Sequence, residues 1–466
     1  MHKKKIRVLL VLLTLTFGIL CYSELVSNID FEILRVMGLL GTIQLFYSVW
    51  SWKSIGREII NPYVFFLLAL YLFSFGQSFL YIFNIVSEKR DLLGFQGITI
   101  DEIFNAQKMT LFMLSFFHIG AICFVRNKKE LLNTSYNNIN YIYRIRKLGW
   151  FLFVVSIIPY YWDLIETLLI SMASGYGAIY ERNAAIGISQ IDKYIADYFI
   201  PSLICLFVGY SNDKRVKSLV IGICTVNIVA ILLTGGRTPA VILVALLILL
   251  YHYCVKKISF KGILVLSIFS FLFLSLLSVV SYLRSQEERS IEAYLRYDVS
   301  GNNAAVDALA EMGGTMFCLI KTKDIVPLYE NYRYGRSYLY SFTTFIPNIG
   351  FWEIHPAKRE ANLGEWLTNA LRLSYGTGYS MCAEAYINFG GCCWIIMFFL
   401  GGLFGNLLGI ENKRLKEDLA LLIFSLIIFW FCLKITRNSF IGFVRIFFYY
   451  ALPAYYIIKK GLPFKK

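Results

Sequence analysis

Runs of apolar residues, each on the order of 20 residues long, recur along almost the whole chain and alternate with short polar segments. A run of that length forms a helix that matches the thickness of the hydrocarbon core of a bilayer. The pattern therefore predicts an all-α polytopic membrane protein with about 12 transmembrane helices. The predicted spans cover residues 6–23, 32–51, 62–84, 109–125, 149–171, 195–210, 217–234, 238–255, 260–283, 382–408, 419–433 and 440–458.

Composition supports this class, because 58% of the 466 residues are hydrophobic and only 16% are charged. In a soluble domain, about a quarter of the residues are charged. The net charge is +15, but the Lys and Arg residues are spread over short loops, so no nucleic-acid partner is predicted. Every second loop is basic, as cytoplasmic loops are. The alternation predicts that both termini are cytoplasmic.

One predicted external loop, residues 284–380, is far longer than an ordinary connection between helices. It is rich in Tyr, Phe and Trp and has helix-like stretches, so we expect it to fold. The predicted domains are therefore transmembrane helices 1–9 in residues 1–283, an external, mainly helical cap in residues 284–380, and helices 10–12 in residues 381–466.

Arginines near the predicted outer face are the first candidates for chemistry. A charge near or within a span favours a functional role, and a guanidinium binds phosphate oxygens in a bidentate manner. Alternatively, the loop arginines belong to a solvated surface and pair with neighbouring acids. The candidate phosphate-binding residues are Arg237, Arg284, Arg289, Arg333, Arg336 and Arg445. For Arg237, the preceding Gly235 and Gly236 also predict a tight turn between two spans.

Two residues are candidates for acid–base catalysis. His355 lies in the external loop, and an imidazole is suited to proton transfer near neutral pH. Glu384 lies at the outer entrance of span ten, where a carboxylate has to pair or face a cavity. Both have structural alternatives, since a lone histidine is often structural and an acid is favoured in a first helical turn. No nucleotide-binding motif and no metal-ligand spacing occurs, so neither a cofactor nor a metal is predicted.

The second half of the chain contains "GGRTP" at 235–239 and, further on, the segments "EMGGTMFCLIKTKDIVP", "YRYGRSYLYSFTTFIPN" and "GTGYSMCAEAYINFGG". The three longer segments resemble the O-antigen polymerase (Wzy-type oligosaccharide repeat unit polymerase) family, and "GGRTP" is similar to a small-residue-Gly-Arg turn of that family. The matching positions are Glu311, Gly313, Gly335, Ser337, Tyr338, Phe345, Ile346, Pro347, Glu384, Ala385, Tyr386, Asn388, Phe389 and Gly390.

The resemblance implies an enzyme of the bacterial plasma membrane that joins lipid-linked oligosaccharide repeats on the outer side. It implies transfer of the growing glycan from undecaprenyl pyrophosphate to an incoming lipid-linked repeat, without a metal. The arginines would hold the pyrophosphate, and His355 or Glu384 would accept the proton of the acceptor hydroxyl. Implied partners are the undecaprenyl-pyrophosphate-linked oligosaccharide, membrane lipids, a chain-length regulator and a flippase.

Other functions remain open at this point. A flippase for lipid-linked oligosaccharides has a similar number of helices but does not need a folded cap. An O-antigen ligase has a similar layout, with a histidine beside arginines in its external loop, which His355 also provides. A glycosyltransferase that uses lipid-phosphate sugars is a further alternative, although the first external loop has only scattered acids, Glu24, Asp30 and Glu32.

Overall fold

The computed structural model describes residues 2–87, 91–93, 95–125, 139–174, 190–259, 261–263, 265, 269, 304–346, 352–373 and 376–461. Within these ranges the regular structure is helical, without β-strands. The helices are α1 His2–Leu25, α2 Phe31–Ser54, α3 Pro62–Tyr81, α4 Ile100–Phe124, α5 Ile139–Ser174, α6 Gln190–Ala196, α7 Phe199–Gly209, α8 Lys214–Leu233, α9 Thr238–Cys254, α10 Ala304–Gly313, α11 Met316–Ile325, α12 Arg336–Ser341, α13 Pro356–Ala361, α14 Leu363–Ala370, α15 Met381–Phe389, α16 Cys393–Leu408, α17 Asn412–Glu417, α18 Leu419–Cys432, α19 Ile441–Ile446 and α20 Leu452–Lys460.

Several helices begin at a residue whose side chain accepts a hydrogen bond from a backbone N–H of the first turn. Such caps satisfy donors that the helix itself leaves unpaired. The residues that cap in this way are Asp30, Asn61, Thr99, Asp213, His355 and Ser380. Short polar residues between apolar runs thus determine where several long helices begin.

The described residues contain 9 helices that are long and apolar enough to cross a membrane. They are Lys3–Leu25, Phe31–Ser54, Pro62–Tyr81, Ile100–Phe124, Asn140–Ala173, Lys214–Leu233, Met381–Leu408, Leu419–Arg437 and Ile441–Lys460. The all-helical, multi-pass class predicted from the sequence is therefore confirmed, whereas the number of twelve spans is not.

The remaining three predicted spans have different outcomes. The span at 238–255 corresponds to the 17-residue helix Thr238–Cys254. The span at 195–210 corresponds to α7, which has only 11 residues. The span at 260–283 lies almost entirely outside the described residues. Hydropathy therefore located both described segments, but it overestimated the helical length of α7.

By their contacts the residues form two units, and the first comprises Met1–Lys128, Leu309–Glu411 and Phe431–Arg445. Helices α4 and α16 of this unit pack against each other through glycines. A Cβ atom on Gly401 would collide with the carbonyl oxygen of Phe117, and one on Gly120 would collide with that of Phe398. Gly405 lies against Ala121 in the same way. Such small-residue faces let two membrane helices approach closely.

Polar contacts between helices mark the two ends of the first unit. At one end, Lys5 donates to the carbonyls of Ile122 and Val125, so α1 begins where α4 ends. At the opposite end, Lys108 near the start of α4 pairs with Glu24 near the end of α1. The helices α10 and α11, which the sequence assigns to the cap, pack near this second end. Gln77 of α3 donates to the carbonyl of Ala310 at 2.7 Å there.

The second unit comprises Lys129–Ala308, Asn412–Trp430 and Ile446–Lys466. The long helix α5 packs along α7, where Tyr160 stacks on Phe199 with ring centroids 4.2 Å apart. Helices α8 and α9 form a hairpin, and its turn contains Gly235 at φ +87°. Ser171 near the end of α5 donates to the carbonyl of Thr234 at 2.8 Å. The predicted turn between these two helices is therefore present.

Candidate functional site

In the first unit, a buried set of hydrogen bonds joins two segments that are 47 to 53 residues apart in the chain. We call Gly335, Ser337, Glu384 and Asn388 the clasp. The Ser337 hydroxyl donates to Glu384 Oε1 at 2.7 Å and accepts from Asn388 Nδ2 at 2.8 Å. The backbone N–H of Gly335 donates to Asn388 Oδ1 at 3.0 Å. The clasp thus fixes the start of α12 against α15.

Local sequence explains how each half of the clasp is presented. Gly335 has φ +85°, a left-handed conformation in which a side chain is strained, and it directly precedes α12. On the other half, Ser380 caps α15 by accepting the N–H of Ala383. Glu384 and Asn388 are four residues apart on that helix and therefore share a face. The Asn388 amide also donates back to the Glu384 carbonyl at 2.8 Å.

The Glu384 side chain is enclosed, with only 1% of the residue exposed. Its second oxygen, Oε2, accepts the backbone N–H of Phe440 at 2.6 Å. Both carboxylate oxygens therefore have a hydrogen-bond donor, which is how a buried carboxylate is tolerated. The arginine that interacts with this charge is Arg333. In this arrangement Glu384 joins three chain segments.

Tyr338 packs beside this carboxylate. Its ring stacks on Phe389 with centroids 6.4 Å apart and meets the edge of Phe440 at 5.4 Å. Its hydroxyl is buried and has no hydrogen-bond partner among the described residues. Burial, and then the neighbouring charge of Glu384, raise the pKa of Tyr338 well above its usual value, so the hydroxyl stays protonated.

Arg333 and Arg336 are both predicted to bind phosphate; Arg333 precedes the clasp residue Gly335 by two positions, and Arg336 lies between Gly335 and Ser337. The Arg333 guanidinium lies over the ring of Trp366 at 5.2 Å and donates to the Glu360 carbonyl at 2.7 Å. The indole N–H of Trp366 in turn donates to Glu330 at 3.1 Å. Arg333 is therefore oriented by a ring and a carbonyl, while Arg336, at the first position of α12, is exposed.

His355 is placed by the structure at the start of α13, a helix that packs against α12. Its Nδ1 accepts the backbone N–H of Ala357 at 3.2 Å, and its Nε2 lies 3.0 Å from the carbonyl oxygen of Ile346. These partners assign the proton to Nε2, because a carbonyl can only accept. The imidazole thus acts as a helix cap, and its one lone pair is engaged.

Of the other four predicted site residues, two belong to the described part of the chain. Arg445 lies in α19, five residues beyond Phe440. Arg237 belongs to the second unit, at the position preceding α9. Arg284 and Arg289 lie outside the described residues. Among described side chains, no three His, Cys, Asp or Glu residues converge as a metal site.

Sequence reasoning missed the residues that give the clasp its geometry. Ser337 and Asn388 were noted only as matching positions of a motif, and Phe440 was not noted. The spacing of Glu384 and Asn388 by one helical turn was a usable signal. By contrast, the contact with Phe440 could not be predicted. The Glu384 carboxylate accepts the backbone N–H of Phe440, and the type of residue does not indicate that its backbone N–H is used in this way.

The helices and the clasp together define a multi-pass membrane protein with a buried polar centre at the beginning of a membrane span, flanked by arginines and aromatic rings. A family model for the O-antigen polysaccharide polymerase Wzy matches residues 6–460, nearly the whole chain. The chain therefore belongs to the Wzy family of O-antigen polymerases, which act on lipid-linked oligosaccharide repeat units in the membrane. Neither curated proteins nor solved structures gave a match.

Proposed function

We propose that this protein extends a polysaccharide by moving the growing glycan from undecaprenyl pyrophosphate to a hydroxyl of an incoming lipid-linked repeat. The bond between the anomeric carbon and the pyrophosphate oxygen breaks, and a bond from that carbon to the acceptor oxygen forms. The acceptor hydroxyl loses its proton, and undecaprenyl pyrophosphate leaves. Membership of the family supports the polymerase activity, and the arginines beside the clasp support a pyrophosphate leaving group.

The observation that carries the proposal is the way the clasp holds the backbone of Arg336. The Gly335 N–H and the Ser337 hydroxyl are both engaged by α15, so the intervening Arg336 has a fixed backbone. A cation attached to a fixed backbone needs less reorganisation to stabilise the negative charge that develops during the reaction. Arg336 is exposed, so its side chain is open to a ligand.

We assign Glu384 a positioning role in this mechanism, because both of its oxygens already accept hydrogen bonds inside the protein. His355 is kept as the proposed proton acceptor. Its Nδ1 must then release the N–H of Ala357 when the acceptor sugar binds. The proposal thus requires a rearrangement at the start of α13, which can be tested separately from the rest of the site.

A substitution to asparagine separates the two roles of His355. Asparagine is a strong N-cap residue, so His355→Asn keeps an acceptor for the first turn of α13 but removes the imidazole. If His355 is the base, His355→Asn loses polymerisation while His355→Ala loses both polymerisation and some stability. If His355 only caps the helix, His355→Asn makes polymer of normal length.

The reaction class is tested in cells that lack the protein. We expect these cells to make and export lipid-linked single repeats but no long polymer. Complementation with Arg336→Ala is expected to leave the membrane level of the protein normal and the polymer absent. Arg336→Lys is expected to restore part of the polymer, because an ammonium keeps the charge but loses the bidentate geometry. Loss of exposed single repeats in the deletion would instead indicate a flippase.

We further propose that the enzyme works in the bacterial plasma membrane with both termini in the cytoplasm. The alternation of basic loops supports this orientation. A flippase that supplies the repeats and a chain-length regulator that limits the product are the proposed protein partners. Their contribution is measurable as a change in polymer length when each is removed.

A further inference from the structure

An open, basic pocket lies at one end of the second unit, and none of the residues that line it is assigned to the reaction. It is formed by the beginning of α5 and by the turn that connects α7 to α8, and its volume is about 590 Å³. Three of its six side chains are cationic and one is acidic. The pocket is lined by Arg146, Tyr210, Asn212, Asp213, Lys214 and Arg215.

Arg146 is held in place by its neighbours. Its Nε donates to the Gly209 carbonyl at 2.8 Å, and its guanidinium carbon lies 4.3 Å from the centre of the Tyr210 ring. The Tyr210 hydroxyl in turn accepts the indole N–H of Trp150 at 3.2 Å. The terminal amino groups of Arg146 form no hydrogen bond to the described part of the chain. A pre-oriented guanidinium is therefore available to an anion.

The only acid in the pocket lining is occupied by its own helix. Asp213 Oδ1 accepts the backbone N–H of Arg215 at 2.8 Å and of Val216 at 3.4 Å, and thereby caps α8. The side chains of Lys214 and Arg215 are exposed and form no ion pair with the described residues. The pocket thus has a net charge of two positive units, from three cations and one acid.

The depth of the pocket follows from the apolar surface below it. On α5 the exposed Tyr143, of a residue type common at membrane interfaces, precedes Arg146, and the further exposed apolar side chains begin at Trp150 and Phe151; on α8 they begin at Leu219. Arg146 precedes Trp150 by four residues, and Lys214 precedes Leu219 by five. At 1.5 Å per residue the cations lie roughly 6–8 Å beyond the edge of the apolar surface. That is the level of phospholipid headgroups in a bilayer.

We propose that this pocket binds the phosphate group of an anionic membrane lipid, with the acyl chains lying along the apolar faces of α5 and α8. Basic pockets between helices bind anionic headgroups in this way, and the charge of the loops predicts that this end faces the cytoplasm. Arg146 contributes a fixed fork, while Lys214 and Arg215 contribute mobile charge. The proposal is independent of the polymerase mechanism.

The test measures lipid binding to the purified full-length protein by native mass spectrometry. Phosphatidylglycerol and phosphatidylcholine are titrated in a neutral detergent. The variant Lys214→Gln/Arg215→Gln removes the two exposed cations, and the control Lys256→Gln/Arg414→Gln removes one exposed lysine and one exposed arginine elsewhere in the same unit. We expect phosphatidylglycerol to bind on the order of tenfold more weakly to the first variant, since each basic residue near a surface contributes to anionic lipid binding. The control should bind as the unmodified protein does.

Two results overturn the proposal. One is an unchanged affinity of Lys214→Gln/Arg215→Gln for phosphatidylglycerol. The other is competition by inorganic phosphate at concentrations similar to those of the lipid, which would identify a site for free phosphate. The single variants Lys214→Gln and Arg215→Gln are measured in parallel, together with thermal unfolding. Weaker binding in folded single variants supports the proposal, and wild-type binding in both refutes it.

Discussion

Removing the hydroxyl of Ser337 tests whether the clasp holds the site together. In Ser337→Ala, Glu384 Oε1 loses the donor at 2.7 Å and the Asn388 amide loses an acceptor at 2.8 Å. Both groups are buried, with Glu384 1% exposed and Asn388 0% exposed. Water therefore cannot replace the lost partner without entering the protein. We expect the variant to be less stable and to polymerise poorly.

The size of the effect follows from the kinds of bonds that are lost. A hydrogen bond to a charged group is worth about 1.5–3 kcal/mol, and a buried group left unpaired costs about 1–3 kcal/mol. Asn388 Nδ2 keeps its hydrogen bond to the backbone carbonyl of Glu384, so the amide loses only one of its two hydrogen bonds. These contributions overlap, and we expect a net loss of roughly 2–4 kcal/mol in the free energy of unfolding.

Ser341 provides a matched control one turn further along α12. It is also buried, but its hydroxyl donates only to the Ser337 backbone carbonyl, at 2.7 Å. Ser341→Ala removes one neutral, local bond, which is worth about 0.5–1.5 kcal/mol. Both variants replace a buried serine of α12 by alanine, so the change in helix propensity and in side-chain volume is the same. Ser337→Ala differs in that one or two more buried polar groups lose a hydrogen-bond partner.

Unfolding can be followed in detergent with a thiol-reactive fluorophore, because Cys318, Cys382 and Cys393 of the first unit are buried and free. Ser337→Ala should lower the unfolding midpoint well below that of Ser341→Ala. Membrane extracts from complemented cells should show shortened or absent polymer for Ser337→Ala alone. Equal midpoints and equal polymer for the two variants would refute the role given to the clasp.

Three further predictions concern packing, orientation and Arg237. Gly401→Ala should destabilise the protein by about 1–3 kcal/mol, because the added Cβ collides with backbone atoms of Phe117 in a tightly packed interface. Gly222→Ala is the control and should not destabilise it, because a Cβ at Gly222 meets open space. Equal unfolding midpoints for the two variants would contradict this prediction. A cysteine at Tyr329 in a cysteine-free background should react with an impermeant reagent on intact cells, and one at Asn212 only after permeabilisation; the reverse pattern would invert the proposed orientation. Arg237→Ala should abolish chain extension at normal protein level and Arg237→Lys should restore it in part, and full-length polymer from the alanine variant would leave this arginine with a structural role only.

Glu384 shows how far the sequence carried the prediction of the site. Its position at the entrance of a membrane helix was predictable, because Ser380 is a strong cap residue and an apolar run follows. That a carboxylate there must be paired was also predictable from its desolvation cost. The identity of its partners was not, since Ser337 is 47 residues away and Phe440 contributes only a backbone N–H.

His355 shows a second limit. A histidine before a proline is compatible with both a catalytic base and a helix cap, and residue type does not separate the two roles. The structure adds the atoms that contact its two ring nitrogens, which are the N–H of Ala357 and the carbonyl oxygen of Ile346. Such assignments depend on distances of about 3 Å between segments, and hydropathy does not encode them.

The sequence by itself determined the helical, multi-pass class, most of the membrane spans and the turn before Arg237, because bilayer thickness and backbone hydrogen bonding impose length, apolarity and turn residues on each segment separately. Only the tertiary structure decided that Gly335, Ser337, Glu384 and Asn388 form one buried network and that Arg237 lies in a different unit from it. The physical reason is that contacts between distant segments arise from the packing of whole helices. No local pattern of hydrophobic and polar residues specifies which side chains meet when those helices pack.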